Sequence, residues 1–198
     1  MLMNKLLLPR TLSAFVIVPV LFTLSFSAQA ASMSQPNYSY FSGGISEYSN
    51  DMRGVSLYGQ YELQNKFFLI GNYEQVTNRN SAGTRFSQTI AEIGGGRYFT
   101  ILDGTTIDVS ATTGRLAASQ NVFNSGDNFY TLNTGINHRR GAWESRIGYR
   151  YVDFSGQNAD HGVVASLFFY AAPQVAVGVQ FNDVYGRSSA SFGVRFIF

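Results

Sequence analysis

The sequence predicts an all-β chain: a transmembrane, antiparallel up-and-down β-barrel of ten strands, with eight as the alternative count, behind a cleaved leader. Three observations carry that prediction. Apolar and polar residues alternate strictly in segment after segment, and a period of two puts the two sets on opposite strand faces. Only 13% of the 198 residues are charged while 15% are aromatic; a typical soluble domain carries about 25% charged residues. The connections alternate between tight turns and longer stretches rich in Asn, Ser and Gly. Mean hydropathy is only −0.03, which excludes a helical membrane protein built from apolar runs of about 20 residues.

Residues 1–30 read as a secretory leader. Lys5 and Arg10 precede an almost uniformly apolar Thr11–Phe26, and Ala28-Gln29-Ala30 supplies the small residues a signal peptidase needs. Pro19 interrupts the run, which falls short of a spanning helix. The predicted domain is therefore 31–198. Losing Lys5 and Arg10 from the 14 basic residues balances the 12 acidic ones, all of which lie beyond position 30. A neutral chain has no electrostatic claim on nucleic acid. Zero cysteines exclude a disulfide scaffold and a thiolate metal site. Two histidines leave little for a metal centre, and no cofactor is expected.

The strands follow in order. Asn37–Ser46 is the first, with its phase obscured by Gly43-Gly44. Val55, Leu57, Tyr61 and Leu63 then oppose Ser56, Tyr58, Gln60 and Glu62, and Phe67, Leu69 and Tyr73 oppose Asn72 and Glu74. Thr89, Ala91 and Ile93 oppose Gln88 and Glu92. The run Gly94–Gly96 suggests a bulge; without one, Arg97 faces outward near the membrane edge. Ile107 and Val109 oppose Asp108, Leu132 and Ile136 oppose Asn133 and Asn137, and Trp143, Ile147 and Tyr149 oppose Glu144, Arg146 and Arg150. Val163, Leu167 and Phe169 form the eighth apolar face, Val175, Val177 and Val179 the ninth, and Phe192, Val194, Phe196 and Phe198 the tenth, against Ser191, Gly193 and Arg195. Gln64–Lys66, Leu102–Gly104, His138–Ala142 and Ala171–Pro173 read as tight turns. Thr77–Thr84, Ala118–Asp127 and Ser155–His161 read as longer loops. Outer-membrane barrels have short periplasmic turns and longer outside loops.

A soluble barrel also alternates, but its exterior is charged. Lys66 is the single lysine after the leader, so composition favours lipid outside. The chain also ends on an alternating, aromatic strand, with Ser191, Gly193, Phe196 and Phe198 at fixed spacing. That terminus resembles the β-signal read by the outer-membrane barrel assembly machinery, and an amphipathic unpaired edge suits such pairing. The whole of 31–198 resembles small Gram-negative outer-membrane barrels of the OmpA-transmembrane-domain, OmpX and Ail kind. The resemblance implies a cell-outer-membrane location, contact with its lipids and lipopolysaccharide, and assembly by that machinery. Those barrels are mostly eight-stranded, and no peptidoglycan-binding domain is expected after Phe198.

With the apolar set facing lipid, Glu62, Glu74, Glu92, Asp108, Glu144, Arg146, Arg150 and Arg195 fall in the lumen. Both signs occur at each height, and unpaired buried charges are very costly, so they are expected to pair. Ten strands sit near the closed end of barrel sizes. The favoured function is non-enzymatic: envelope structure, or an adhesin-like surface contact with a ligand or host partner, made by a monomer. Val122 and Phe123, in the longest predicted loop, are the candidate contact residues. A narrow ion or solute pore is the alternative, and an outer-membrane hydrolase the second. The hydrolase option rests on Asp160-His161 in the fourth outside loop, with Ser155 or Ser166 near in sequence. No catalytic set is assigned.

Overall fold

The computed structural model describes residues 35–49, 52–79, 85–120, 123–156, 158–184 and 187–198. The predicted leader and Val122 lie outside them. Ten strands run in chain order: β1 (Tyr40–Tyr48), β2 (Arg53–Glu62), β3 (Phe67–Arg79), β4 (Arg85–Leu102), β5 (Thr105–Gln120), β6 (Phe123–Arg140), β7 (Trp143–Phe154), β8 (Asp160–Ala172), β9 (Val175–Val184) and β10 (Arg187–Ile197). Each pairs antiparallel with its sequence neighbour, and β10 closes on β1 from Tyr40↔Ile197 to Tyr48↔Ser189. Closure leaves no unpaired edge.

The alternation holds as predicted, with the apolar set outside. Leu57, Leu69, Ile93, Leu132, Ile147, Val179 and Phe192 are all exposed, while Glu92, Asp108, Glu144 and Arg195 are buried. This is the reverse of a soluble barrel, whose apolar set points inward. The phase of β1 is continuous through Gly43-Gly44: Ser42 and Ser46 are buried and Phe41 and Ile45 exposed. Register also runs unbroken across Gly94–Gly96, so no bulge occurs there; the two irregularities fall at Thr100/Leu102 and Tyr170/Ala172.

The glycines have a packing reason instead. Phe68↔Gly96, Phe129↔Gly114 and Phe168↔Gly178 are cross-strand partners facing the lumen. A Cβ on any of these three glycines would come within 2.6 Å of the partner ring. Each missing side chain makes room for a phenylalanine inside a narrow barrel.

At one end, the tight-turn end, the connections are Gln64–Lys66 and the pairs Asp103-Gly104, Gly141-Ala142 and Pro173-Gln174. Gly104 and Gly141 have φ of 72° and 59°, which a two-residue turn requires and glycine adopts at no steric cost. His138–Arg140 belong to β6 rather than to the turn. At the opposite, hairpin end, Ala118–Asp127 corrects the loop expectation. Ala118 to Gln120 and Phe123 to Asp127 are paired strand, down to Gln120↔Phe123. Phe123 is therefore the first residue of β6, not a loop residue. Asp160 and His161 likewise open β8 rather than sitting in a loop.

Candidate functional site

The lumen is layered. Near the hairpin end Ile90, Leu116, Phe129, Val152 and Val184 form a buried apolar cluster. Below it, Glu92 on β4 receives Arg150 Nη2 from β7 at 2.7 and 2.6 Å, Asn72 Nδ2 at 2.9 Å and Thr112 Oγ1 at 2.8 Å. Both of its oxygens are thus occupied. Nearer the tight turns, Arg146 Nη2 donates to Asp108 Oδ1 at 2.8 Å, its Nη1 donates to Oδ2, and Asn137 Nδ2 donates to the same Oδ2 at 2.5 Å. Arg195 Nη1 donates to Glu144 Oε1 at 2.5 Å, and Tyr170 OH donates to Glu144 Oε2 at 2.7 Å.

All eight predicted lumen charges point inward, and six of them form these three pairs. Glu62 and Glu74 are instead held by tyrosines: Tyr98 OH donates to Glu62 at 2.5 Å, and Tyr48 OH donates to Glu74. Arg146 on β7 takes Asp108 from β5, two strands away, and Arg150 on β7 takes Glu92 from β4, three strands away. Between the pairs lies a cavity of about 200 Å³, lined by Ser42, Ser46, Ser56, Tyr58, Asn72, Gln180 and Asn182 among others.

Several interior residues escaped the sequence reading. Tyr38 precedes β1, yet its hydroxyl meets Thr106 Oγ1 at 2.8 Å and Asn137 Nδ2 at 3.0 Å, on β5 and β6. Its ring stacks on Tyr98 at 4.0 Å, and the backbone N–H of Asn37 donates to Glu144 at 3.2 Å. The segment 35–39 therefore crosses the tight-turn end of the barrel. Burial pushes the Tyr38 hydroxyl above the usual tyrosine range, and the Asp108 carboxylate adds to the shift, so it stays protonated. Arg139, within the predicted tight turn His138–Ala142, is instead buried in the lumen with its guanidinium 3.6 Å from the Tyr170 ring centroid. Its parity, shared with Asn133 and Asn137, was the available signal.

The hydrolase residues do not converge. His161 is exposed on the outer face, stacked on Tyr149 at 5.7 Å, while Ser166 lines the lumen. Among the described residues no group of three or more His, Asp or Glu is placed to hold a metal. In the terminal strand, Ser191 and Arg195 line the lumen, whereas Phe196 and Phe198 are exposed outside, with Phe198 against Tyr61 at 6.2 Å.

No known family model matches the chain, and no curated protein matches it. Several solved structures are similar to it. The NanC porin is 10% identical with a TM-score of 0.46, over 80% of this chain and 100% of that one. Neisserial surface protein A is 15% identical with a TM-score of 0.43, over 80% of this chain and 94% of that one. A de novo designed transmembrane β-barrel is 14% identical with a TM-score of 0.39, over 84% of this chain and 100% of that one.

Proposed function

We propose that the chain is a monomeric outer-membrane β-barrel with a lumen closed by its own side chains, and that its role is envelope structure or surface contact rather than catalysis. The observation that carries this reading is burial turned inside out. An exposed apolar belt surrounds an interior in which Arg146, Arg150 and Arg195 each meet a carboxylate. Only lipid rewards such an exterior, since a closed barrel satisfies its backbone internally. Charges already paired offer little to a permeating ion. Surface contact falls to the β5–β6 hairpin, because β6 runs on for residues 123–128 past its last pairing with β7 at Phe129↔Phe154. Its contacts on the membrane side are lipid and lipopolysaccharide, and its terminal strand engages the assembly machinery before closing on β1.

The test is expression in a Gram-negative host. The protein should fractionate with the outer membrane and run as a heat-modifiable band; recovery as a soluble, heat-indifferent species would contradict the reading. Trimming the hairpin to the Ala117↔Gly126 pair, closed by a two-residue turn, should leave that band intact and weaken surface binding. Unchanged binding would remove the hairpin from the role. A narrow pore is the rival reading, favoured by the hydroxyl- and amide-lined cavity.

A further inference from the structure

The outward face of β4 carries one feature that the closed barrel does not use. Because register is unbroken across Gly94–Gly96, Arg97 points away from the lumen. Its cross-strand partners are Phe67 on β3 and Val109 on β5, both exposed and apolar. Its guanidinium lies 5.1 Å from the Phe67 ring centroid and 5.2 Å from that of Phe99. Ile101 and Leu102 continue the exposed apolar surface past it to the turn. None of the ion pairs among the described residues involves Arg97. The other exposed cations at this end differ: Lys66 Nζ donates to Thr100 Oγ1 at 3.1 Å, at the rim, and Arg140 opens the β6–β7 turn beside Trp143.

A cation bordered by apolar side chains on a lipid-facing surface is costly without a counter-charge. Two aromatic faces reduce that cost and hold the guanidinium plane in place, but they leave its outer N–H donors unfilled. A planar fork of donors matches the paired oxygens of a phosphate, the anionic group common to phospholipid headgroups. We propose that Arg97, clasped by Phe67 and Phe99, is a headgroup site that binds the phosphodiester of a phospholipid in the leaflet at the tight-turn end. The acyl chains of that lipid lie along Leu69, Ile93 and Val109, which rise from the site on the same outer face. The inference rests on the reading of the chain as a membrane barrel.

The test is native mass spectrometry of the full chain, reconstituted in phosphatidylglycerol-containing vesicles and released in mild detergent. The unmodified protein should retain one phospholipid through activation that strips the annular lipids. Losing a charge-assisted hydrogen bond should lower that retention about tenfold in Arg97→Gln. Arg97→Lys, which keeps charge but loses the planar fork, should fall between the two. Arg140→Gln should match the unmodified protein. Equal retention by Arg97→Gln, with its heat-modifiable band intact, overturns the site. Displacement of the lipid by excess inorganic phosphate overturns the lipid assignment in favour of free phosphate. Failure of the unmodified chain to enter vesicles overturns the membrane reading itself, a separate outcome from loss of the site.

Discussion

Arg195 on β10 and Glu144 on β7 meet across the lumen at 2.5 Å, with the guanidinium packed between the rings of Tyr40 and Phe168 at 3.9 and 3.8 Å. Three strand boundaries separate them in the sheet, so the pair ties together strands that share no hydrogen bonds. Both side chains are almost fully buried, at 6% and 8% exposure. Removing one partner therefore strands a buried charge. Glu144→Gln should cost about 3–5 kcal/mol, read as a shifted midpoint for reversible urea unfolding from lipid vesicles. The pair Glu144→Leu with Arg195→Met should recover part of that loss, the remainder reflecting the Tyr170 hydroxyl and Asn37 N–H left without their acceptor. A single variant as stable as the parent would show the pair to be incidental.

Tyr38 holds the segment 35–39 across the tight-turn end through its hydroxyl and its stack on Tyr98. Tyr38→Ala should release the segment, and the amide of Asn37, which donates to Glu144, should then lose its hydrogen-exchange protection. Tyr38→Phe keeps the stack and should retain most of the protection. Protection that survives in the alanine variant would mean the segment is held elsewhere.

Gly96 gives Phe68 its place. Gly96→Val should overpack the lumen and destabilise by roughly 1–3 kcal/mol, again by urea midpoint. Adding Phe68→Ala should relieve the part of the clash that the ring tip makes at 2.6 Å, while the nearer Val109 O and Ser110 Cβ at 2.6 Å still crowd the new side chain. A double variant weaker than the sum of its parts would point to a cause other than that contact.

The terminal strand supplies a fourth test. Phe196 pairs with Phe41 on one side and Val175 on the other, and its ring faces outward. Phe196→Ala, or deletion of Phe198, should lower the yield of heat-modifiable protein in cells while changing the urea midpoint of refolded protein far less. Equal losses in both would assign these rings to stability instead of assembly.

The ten strands and their inner and outer faces were legible because an apolar exterior and a polar interior impose a period of two over most of the chain. Where that pressure lapses, so does the reading. In Ala118–Gln120 and Phe123–Asp127 the apolar alternation lapses, and an Asn-, Ser- and Gly-rich composition reads as a loop although both stretches are paired strand. Gly94–Gly96 resembled a bulge, since sequence does not display the Phe68 ring that needs the space. The lumen charges followed from parity, but their partners did not: Arg150 finds Glu92 across 58 residues, and Tyr38 finds Asn137 across 99. Such choices are made by side-chain reach across a closed cylinder, and no local spacing encodes them.

The decisive measurement is single-channel recording of the full chain in a planar bilayer, after its insertion has been confirmed by the heat-modifiable band. Paired luminal charges, the apolar cluster around Phe129 and the segment 35–39 predict a current that stays at the bilayer baseline. Sustained stepwise conductance, altered by substituting Arg146 or Glu92, would contradict a closed lumen and make the barrel a pore.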